Sequence, residues 1–158
     1  MSGGTFQIHL TSADATAALA TLMSKSLGAG DILLLAGDIG AGKTHFARAL
    51  IQSLLEEPED VPSPTFTLVQ TYETNAFDIW HADLYRLTAP DEVVELGLLD
   101  AFEDALCLIE WPDRLAELAP ENALGLSFEL GSSEETRKLT VSWADDRWLP
   151  LIESLRNV

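Results

Sequence analysis

Cysteine and basic residues are scarce in this sequence of 158 residues. Cys107 is the only cysteine, which excludes an internal disulfide and fits a reducing compartment. Only 9 lysines and arginines stand against 26 aspartates and glutamates, for a formal net charge of −17. A protein that grips nucleic acid itself needs a basic surface that displaces counterions from the phosphates. The charge balance therefore argues against direct binding of nucleic acid.

Long hydrophobic runs are also missing. The longest aliphatic run, residues 32–36, is far too short to cross a bilayer. Residues 1–4 show no basic segment leading into an apolar one, as a secretory signal would. Hydrophobic residues make up 47% of the chain and charged residues 22%, a composition typical of globular proteins. The sequence thus predicts a single cytoplasmic domain over residues 1–158, without a membrane association.

Strand and helix patterns alternate in the first third of the chain, and further strands follow. The apolar run 31–36 is typical of a strand that is buried on both faces. Ser12 suits the N-cap of a helix that Gly28 ends, and Pro90 and Gly97 bracket another short helix. Strands are also predicted at 5–10, 66–72, 77–84, 106–109, 124–130 and 138–143, and helices at 13–27, 43–55 and 145–155. The fold class is therefore α/β with a mixed sheet.

Residues 37–44 (Gly-Asp-Ile-Gly-Ala-Gly-Lys-Thr) match the phosphate-loop motif G-x-x-x-x-G-K-[ST] in full. The predicted strand before it and helix after it supply the context that the motif requires. Glycines let successive backbone N–H groups turn inward around phosphate oxygens at a helix N-terminus. Lys43 adds a positive charge at the phosphates, and the Thr44 hydroxyl can ligate Mg²⁺. The predicted nucleotide-binding residues of this loop are Ile39, Gly40, Ala41, Gly42, Lys43 and Thr44.

Phosphate-loop proteins also need an acidic residue at the end of a neighbouring strand, and two candidates are present. Open α/β sheets place ligands beyond the carboxyl ends of their strands, where Asp83 and Glu110 are predicted to lie. Glu110 follows the more apolar run and is favoured as the Mg²⁺ residue. Asp83 would then orient or deprotonate the attacking water, or assist the metal.

Two further residues have open roles. Thr65, in the segment 63–67, either contacts Mg²⁺ or the γ-phosphate or belongs to a turn stiffened by proline. Trp111 either borders the site, since it follows Glu110, or packs in the core. The three histidines show no metal-ligand spacing, and His45 is interpreted as a packing or surface residue.

Three more blocks accompany the phosphate loop: residues 63–69 (Ser-Pro-Thr-Phe-Thr-Leu-Val), 81–87 (His-Ala-Asp-Leu-Tyr-Arg-Leu) and 109–112 (Ile-Glu-Trp-Pro). In this order and at these separations, the blocks closely resemble the bacterial TsaE (YjeE) family, the small ATPase of tRNA threonylcarbamoyladenosine synthesis. The resemblance covers roughly residues 5 to 143. It implies a P-loop NTPase-like three-layer fold whose central parallel strands are flanked by antiparallel ones.

The resemblance also implies partners and residue roles. ATP and Mg²⁺ would be the cofactors. The ATP cycle would support the proteins TsaB and TsaD, which modify adenosine in tRNA. This protein would then contact tRNA only indirectly, through the complex. Lys43 and Thr44 would hold phosphates and Mg²⁺, Glu110 would contribute to Mg²⁺ binding, and Asp83 would be needed for hydrolysis. The Ala13 backbone would approach the nucleotide base. The C-terminal strands match the family poorly, so no contact is assigned to Arg137.

A GTPase and a small-molecule kinase are the alternatives to an ATPase. A GTPase would carry an Asn-Lys-x-Asp signature, and none of Asn75, Asn122 and Asn157 is followed by the required residue. A small-molecule kinase needs cations on a lid to grip donor and acceptor phosphates. Between residues 58 and 136 the only arginines are Arg86 and Arg114, and neither lies in a lid-like insertion. The kinase remains the alternative function.

Overall fold

The computed structural model describes residues 3–38, 42–57, 59–64, 67–133 and 135–156. The strands are β1 (Gly4–Leu10), β2 (Ile32–Gly37), β3 (Val69–Glu73), β4 (Asp78–Asp83), β5 (Leu106–Glu110), β6 (Leu124–Leu130) and β7 (Arg137–Trp143). The helices are α1 (Ala13–Ser24), α2 (Lys43–Leu54), α3 (Asp91–Glu95), α4 (Leu98–Asp104) and α5 (Leu149–Arg156). Two 3₁₀ segments, Pro112–Leu118 and Asp146–Trp148, complete the secondary structure of these residues.

The strands form one mixed sheet in the order β1-β7-β6-β2-β5-β4-β3. Strand β2 is parallel to both β5 and β6, and β4 is parallel to β5. The pairs β1–β7, β6–β7 and β3–β4 are antiparallel. Parallel strands therefore occupy the centre and antiparallel strands the edges, which confirms the predicted arrangement.

Side chains of the central strands alternate between two hydrophobic clusters, one on each face of the sheet. Leu106 and Leu108 of β5 join the cluster that contains the buried residues of α1, α2 and α5. Cys107 and Ile109 join the opposite cluster, with residues of α3 and α4. Successive side chains of a strand point to opposite faces of the sheet, which produces this alternation. Because helices bury both faces, the sequences of these strands are continuous apolar runs. The three layers predicted from the family resemblance are confirmed.

Several predicted boundaries differ from the structure. Helix α1 begins as predicted, with the Ser12 hydroxyl accepting from the Ala15 N–H at 3.1 Å, but it ends at Ser24 instead of residue 27. Strand β3 begins at Val69 instead of residue 66, because Leu68 has a left-handed backbone (φ 69°) that interrupts an extended chain. The predicted helix 145–155 is a 3₁₀ turn followed by α5.

Helix α4 was not predicted at all. Gly97 ends α3 and, with φ 85°, serves as the N-cap of α4. Gly97 therefore does more than end a short helix, because a single left-handed residue can also join two helices. None of the helices in the described residues is long and apolar enough to cross a membrane.

The single cysteine gives a test of the burial of strand β5. Cys107 is fully buried in β5, and burial raises the pKa of its thiol to about 12. We expect a thiol reagent at pH 8 to label the protein rapidly only after guanidinium unfolding, because the thiolate is the reactive form. The protonated thiol favours the folded state. The free energy of unfolding should therefore fall as the pH rises from about 9 towards about 12.

The variant Cys107→Val serves as the control for this alkaline effect. It should keep the fold and lose the part of the pH dependence that comes from the thiol. Rapid labelling of the native protein at pH 8 would show that β5 is not buried between its neighbours β2 and β4.

Candidate functional site

The predicted site residues meet at the carboxyl ends of β2, β4 and β5. Strand β2 ends at Gly37 and helix α2 begins at Lys43, so the phosphate loop joins these two elements. Asp83 is the last residue of β4 and Glu110 the last of β5, and the two are paired in the parallel register. The two acids thus stand side by side at the sheet edge where open α/β folds bind ligands.

The alternation of side chains places these acids on the α2 face of the sheet. Leu108 of β5 and Ile79 of β4 belong to the hydrophobic cluster under α2. Glu110 follows Leu108 by two residues and Asp83 follows Ile79 by four, so both share that face. His81, between Ile79 and Asp83, shares it too. The core packing therefore determines which polar groups can reach the start of α2.

A continuous hydrogen-bonded chain connects the start of α2 to β5 and β4. The Thr44 hydroxyl donates to Glu110 Oε1 at 2.8 Å. The other carboxylate oxygen, Oε2, lies 2.7 Å from His81 Nε2. His81 is 0% exposed and Glu110 is 2% exposed. The predicted Mg²⁺ residues Thr44 and Glu110 are therefore brought into direct contact, with the carboxylate buried and the hydroxyl partly exposed.

Lys43 is buried next to this chain. Its Nζ donates to the Gly37 carbonyl at 2.5 Å and lies 3.4 Å from the centroid of the Trp111 ring. Burial lowers the pKa of the ammonium from its usual value, while the charges of Glu110 and Asp83 act in the opposite direction. The ammonium has thus given up much of its water before any ligand arrives.

Asp83 is also buried, at 5% exposure, and its backbone orients it. Its Oδ1 accepts from the Tyr85 N–H at 3.0 Å, and its own N–H donates to the Leu68 carbonyl at 2.9 Å. These contacts hold the carboxylate beyond the end of β4, beside Glu110. The structure therefore brings Lys43, Thr44, Asp83 and Glu110 together, as expected.

Two glycines of the loop occupy positions that only glycine tolerates. Gly37 has φ 134°, and a Cβ there would come 2.3 Å from the Phe128 carbonyl oxygen. Gly42, with φ 111°, is the N-cap of α2. Ile39, Gly40 and Ala41, and also Thr65, lie outside the described residues, so their predicted contacts stay predictions.

The start of α1 lies against the start of α2. His45 Nε2 is 3.0 Å from the Ala13 carbonyl oxygen. This contact agrees with a packing role for His45 and brings Ala13 near the phosphate-loop helix, although a contact of Ala13 with a base stays a prediction. Arg137 of β7 borders the loop from another side, because a Cβ on Gly42 would lie 4.0 Å from Arg137 Nε.

Sequence reasoning missed one residue of the site, His81, and left the role of another, Trp111, open. His81 was given no role because its spacing to other histidines suggested no metal site. His81 and Asp83 are two residues apart on a predicted strand, and this spacing is the signal that places both side chains on the same face of the sheet. Trp111 has a left-handed backbone, with φ 59°, which aims its ring at Lys43. It also packs against the second hydrophobic cluster, so both interpretations of Trp111 hold.

Comparison with known proteins identifies the family. Residues 10–139 match the sequence profile of the family described as threonylcarbamoyl adenosine biosynthesis protein TsaE. The chain belongs to the TsaE family. The matched region runs from the end of β1 into β7 and contains Lys43, Thr44, Asp83 and Glu110. The protein is thus a member of a family involved in tRNA threonylcarbamoyladenosine biosynthesis.

Individual relatives agree with this assignment. The chain is 43% identical over 121 residues to the TsaE protein of Rickettsia felis, covering 77% of this chain and 71% of the relative. It is 34% identical over 141 residues to the TsaE protein of Bacillus subtilis, covering 89% and 87%. The crystal structure of Bacillus subtilis YdiB superposes with a TM-score of 0.79 at 25% identity, covering 99% of this chain and 97% of that one.

Proposed function

We propose that this protein binds ATP with Mg²⁺ and hydrolyses it, and that this cycle supports TsaB and TsaD in the threonylcarbamoylation of adenosine in tRNA. The observation that carries the proposal is the 2.8 Å contact between Thr44 Oγ1 and Glu110 Oε1. It joins the hydroxyl of the phosphate-loop motif to an acid on a neighbouring strand. Phosphate-loop enzymes hold Mg²⁺ with this pair of groups.

The donor set suits Mg²⁺. This ion prefers oxygen ligands, and proteins usually hold it through one or two carboxylates, with water and substrate phosphates completing the shell. Thr44, Glu110 and the adjacent Asp83 supply such oxygens. In the described part of the chain no cluster of three or more acidic, histidine or cysteine residues forms a complete metal site. The phosphates of a nucleotide would therefore be part of the coordination.

Each residue of the site has a role in this proposal. Lys43 binds the β- and γ-phosphates, and the N-terminus of α2 directs backbone N–H groups at them. Bound Mg²⁺ would neutralise charge that develops on the phosphates. Asp83 orients the attacking water and accepts its proton. Glu110 is hydrogen-bonded to Thr44, the other proposed Mg²⁺ residue. This arrangement leaves Asp83 as the carboxylate that acts on the attacking water.

The charge of the chain bears on its partners. A net charge of −17 opposes direct contact with tRNA and favours docking on a basic partner surface. tRNA would then be reached only through the complex. Hydrolysis would reset the contact between this protein and its partners.

The test is the rate of ATP hydrolysis with and without TsaB and TsaD. We expect slow turnover by the isolated protein and a rise of about tenfold or more with both partners, because neither Arg86 nor Arg114 belongs to a lid-like insertion over the loop. Arg114, for example, donates to the Tyr85 carbonyl at 3.3 Å. A rate that both partners together leave unchanged would contradict the proposed support role.

The same assay separates hydrolysis from the alternative function. Release of ADP and inorganic phosphate in equal amounts is expected. A phosphorylated small-molecule acceptor, found by screening metabolite mixtures with labelled ATP, would instead support the kinase.

A further inference from the structure

His81 is the buried polar residue of this site to which no role in the proposed mechanism has been given. It lies in β4, opposite Leu108 of β5, and its ring is fully buried. The next residue on the same face of β4 is Asp83, and the neighbouring strand carries Glu110. The His81 ring therefore lies behind the acids, on a strand one place further from the phosphate loop than β5, and it is closed to solvent.

The hydrogen bonds of Glu110 leave its carboxylate little freedom. As a Mg²⁺ ligand Glu110 is an ionised carboxylate, which can only accept, so in that state His81 Nε2 is the donor of the 2.7 Å contact with Oε2. The Thr44 hydroxyl donates to Oε1 at 2.8 Å. One donor on each oxygen determines the rotation of the carboxylate plane. If Thr44 turned towards a metal, His81 would be the partner that still held Glu110.

The other ring nitrogen of His81 supports the same conclusion. Nδ1 is buried and has no hydrogen-bond partner among the described residues. An aromatic hydrocarbon side chain would fill this space without burying an unpaired nitrogen. Histidine differs from such a side chain at this position by its hydrogen bond with Glu110.

We infer that His81 is a positioning residue that holds the Glu110 carboxylate in the orientation that ligates Mg²⁺. This inference rests on the proposed function, since it assigns Glu110 to the metal. Hydrogen-bonded partners behind metal ligands orient them, and their removal typically costs about 10- to 100-fold in metal affinity. His81 acts through Glu110 and touches neither the nucleotide nor the metal.

The experiment compares ADP affinity with Mg²⁺ and with EDTA, by calorimetry, for the full chain and three variants. In His81→Phe the ring volume stays and the Nε2 donor is lost. In His81→Gln the side-chain amide returns a donor near the same place. The control Ile79→Val lies two residues earlier on the same strand and face, in the hydrophobic cluster. It should lower stability modestly and leave Glu110 in place.

We expect His81→Phe to reduce the gain in ADP affinity that Mg²⁺ provides by about 10- to 100-fold. Its affinity in EDTA should stay within about twofold of the parent, since the phosphate contacts do not involve His81. His81→Gln should recover most of the Mg²⁺-dependent gain, and Ile79→Val should match the parent. A merely structural role would lower both affinities together and would not be rescued by glutamine.

A folded His81→Phe variant with the parent's Mg²⁺ dependence would overturn the inference and leave the proposed function standing. Equal losses in the phenylalanine and glutamine variants would overturn it as well. A parent chain whose ADP affinity does not respond to Mg²⁺ would remove the proposed function and this inference together.

A second measurement uses the parent chain, so it does not depend on the folding of any variant. In the parent chain with ¹⁵N-labelled histidine, the His81 ring signal should shift when Mg²⁺ is added to the ADP complex, because Glu110 then changes its partner. The exposed His9 on β1 is the internal reference and should not move. A His81 signal that Mg²⁺ leaves unchanged would overturn the inference.

Discussion

Replacing Lys43 with alanine is expected to weaken ATP binding by about 10- to 100-fold and to abolish measurable hydrolysis, while the fold survives. A hydrogen bond to a charged group is worth about 1.5–3 kcal/mol, which corresponds to this loss. The ammonium is buried before the ligand arrives, so phosphate oxygens would supply interactions that water no longer provides. Calorimetric titration with ATP measures the loss, and circular dichroism reports the fold.

Lys138→Ala is the matched control for this variant. Lys138 is a half-exposed lysine of β7 whose Nζ pairs with Glu129 Oε2 at 3.8 Å. Its removal deletes the same charge from a partly exposed ion pair and should leave both affinity and turnover unchanged. If Lys43→Ala kept the parent's affinity and turnover, residues 37–44 would be a glycine-rich turn without a role in phosphate binding.

The two acids are expected to separate binding from chemistry. Glu110→Gln should reduce Mg²⁺-dependent nucleotide affinity by more than about tenfold, because an amide is a poorer ligand than a carboxylate for a hard cation. Asp83→Asn should leave that affinity nearly intact and reduce the hydrolysis rate by about 100-fold or more, since it removes the group that accepts a proton from water. Titrations with ADP and single-turnover hydrolysis measure the two effects separately.

Asp113→Asn is the control for both acidic variants. Asp113 lies three residues after Glu110, and its charge acts to raise the pKa of Lys43. Its side chain, however, is 67% exposed. Solvent screening should make its removal nearly neutral. If Asp83→Asn impaired Mg²⁺-dependent affinity and Glu110→Gln impaired only hydrolysis, the metal residue and the residue acting on water would have to be exchanged.

Local patterns were enough to predict most of the fold. Continuous apolar runs indicated the strands β2 and β5, and Ser12 marked the start of α1, because burial on two faces and helix capping leave traces in neighbouring residues. Helix α4 and the late start of β3 escaped prediction. Both depend on left-handed residues, Gly97 and Leu68, whose backbone torsions leave no trace in the hydrophobic pattern of their neighbours.

For the site, the sequence by itself determined the phosphate-loop motif and two acids at predicted strand ends, since motif spacing and strand termination are local properties. Only the tertiary structure decided that Thr44 meets Glu110, that His81 lies behind that carboxylate, and that Trp111 covers Lys43. These contacts join residues from 29 to 68 positions apart. The order of strands in the sheet and the face that each side chain takes bring them together, and neither property is encoded in any short segment.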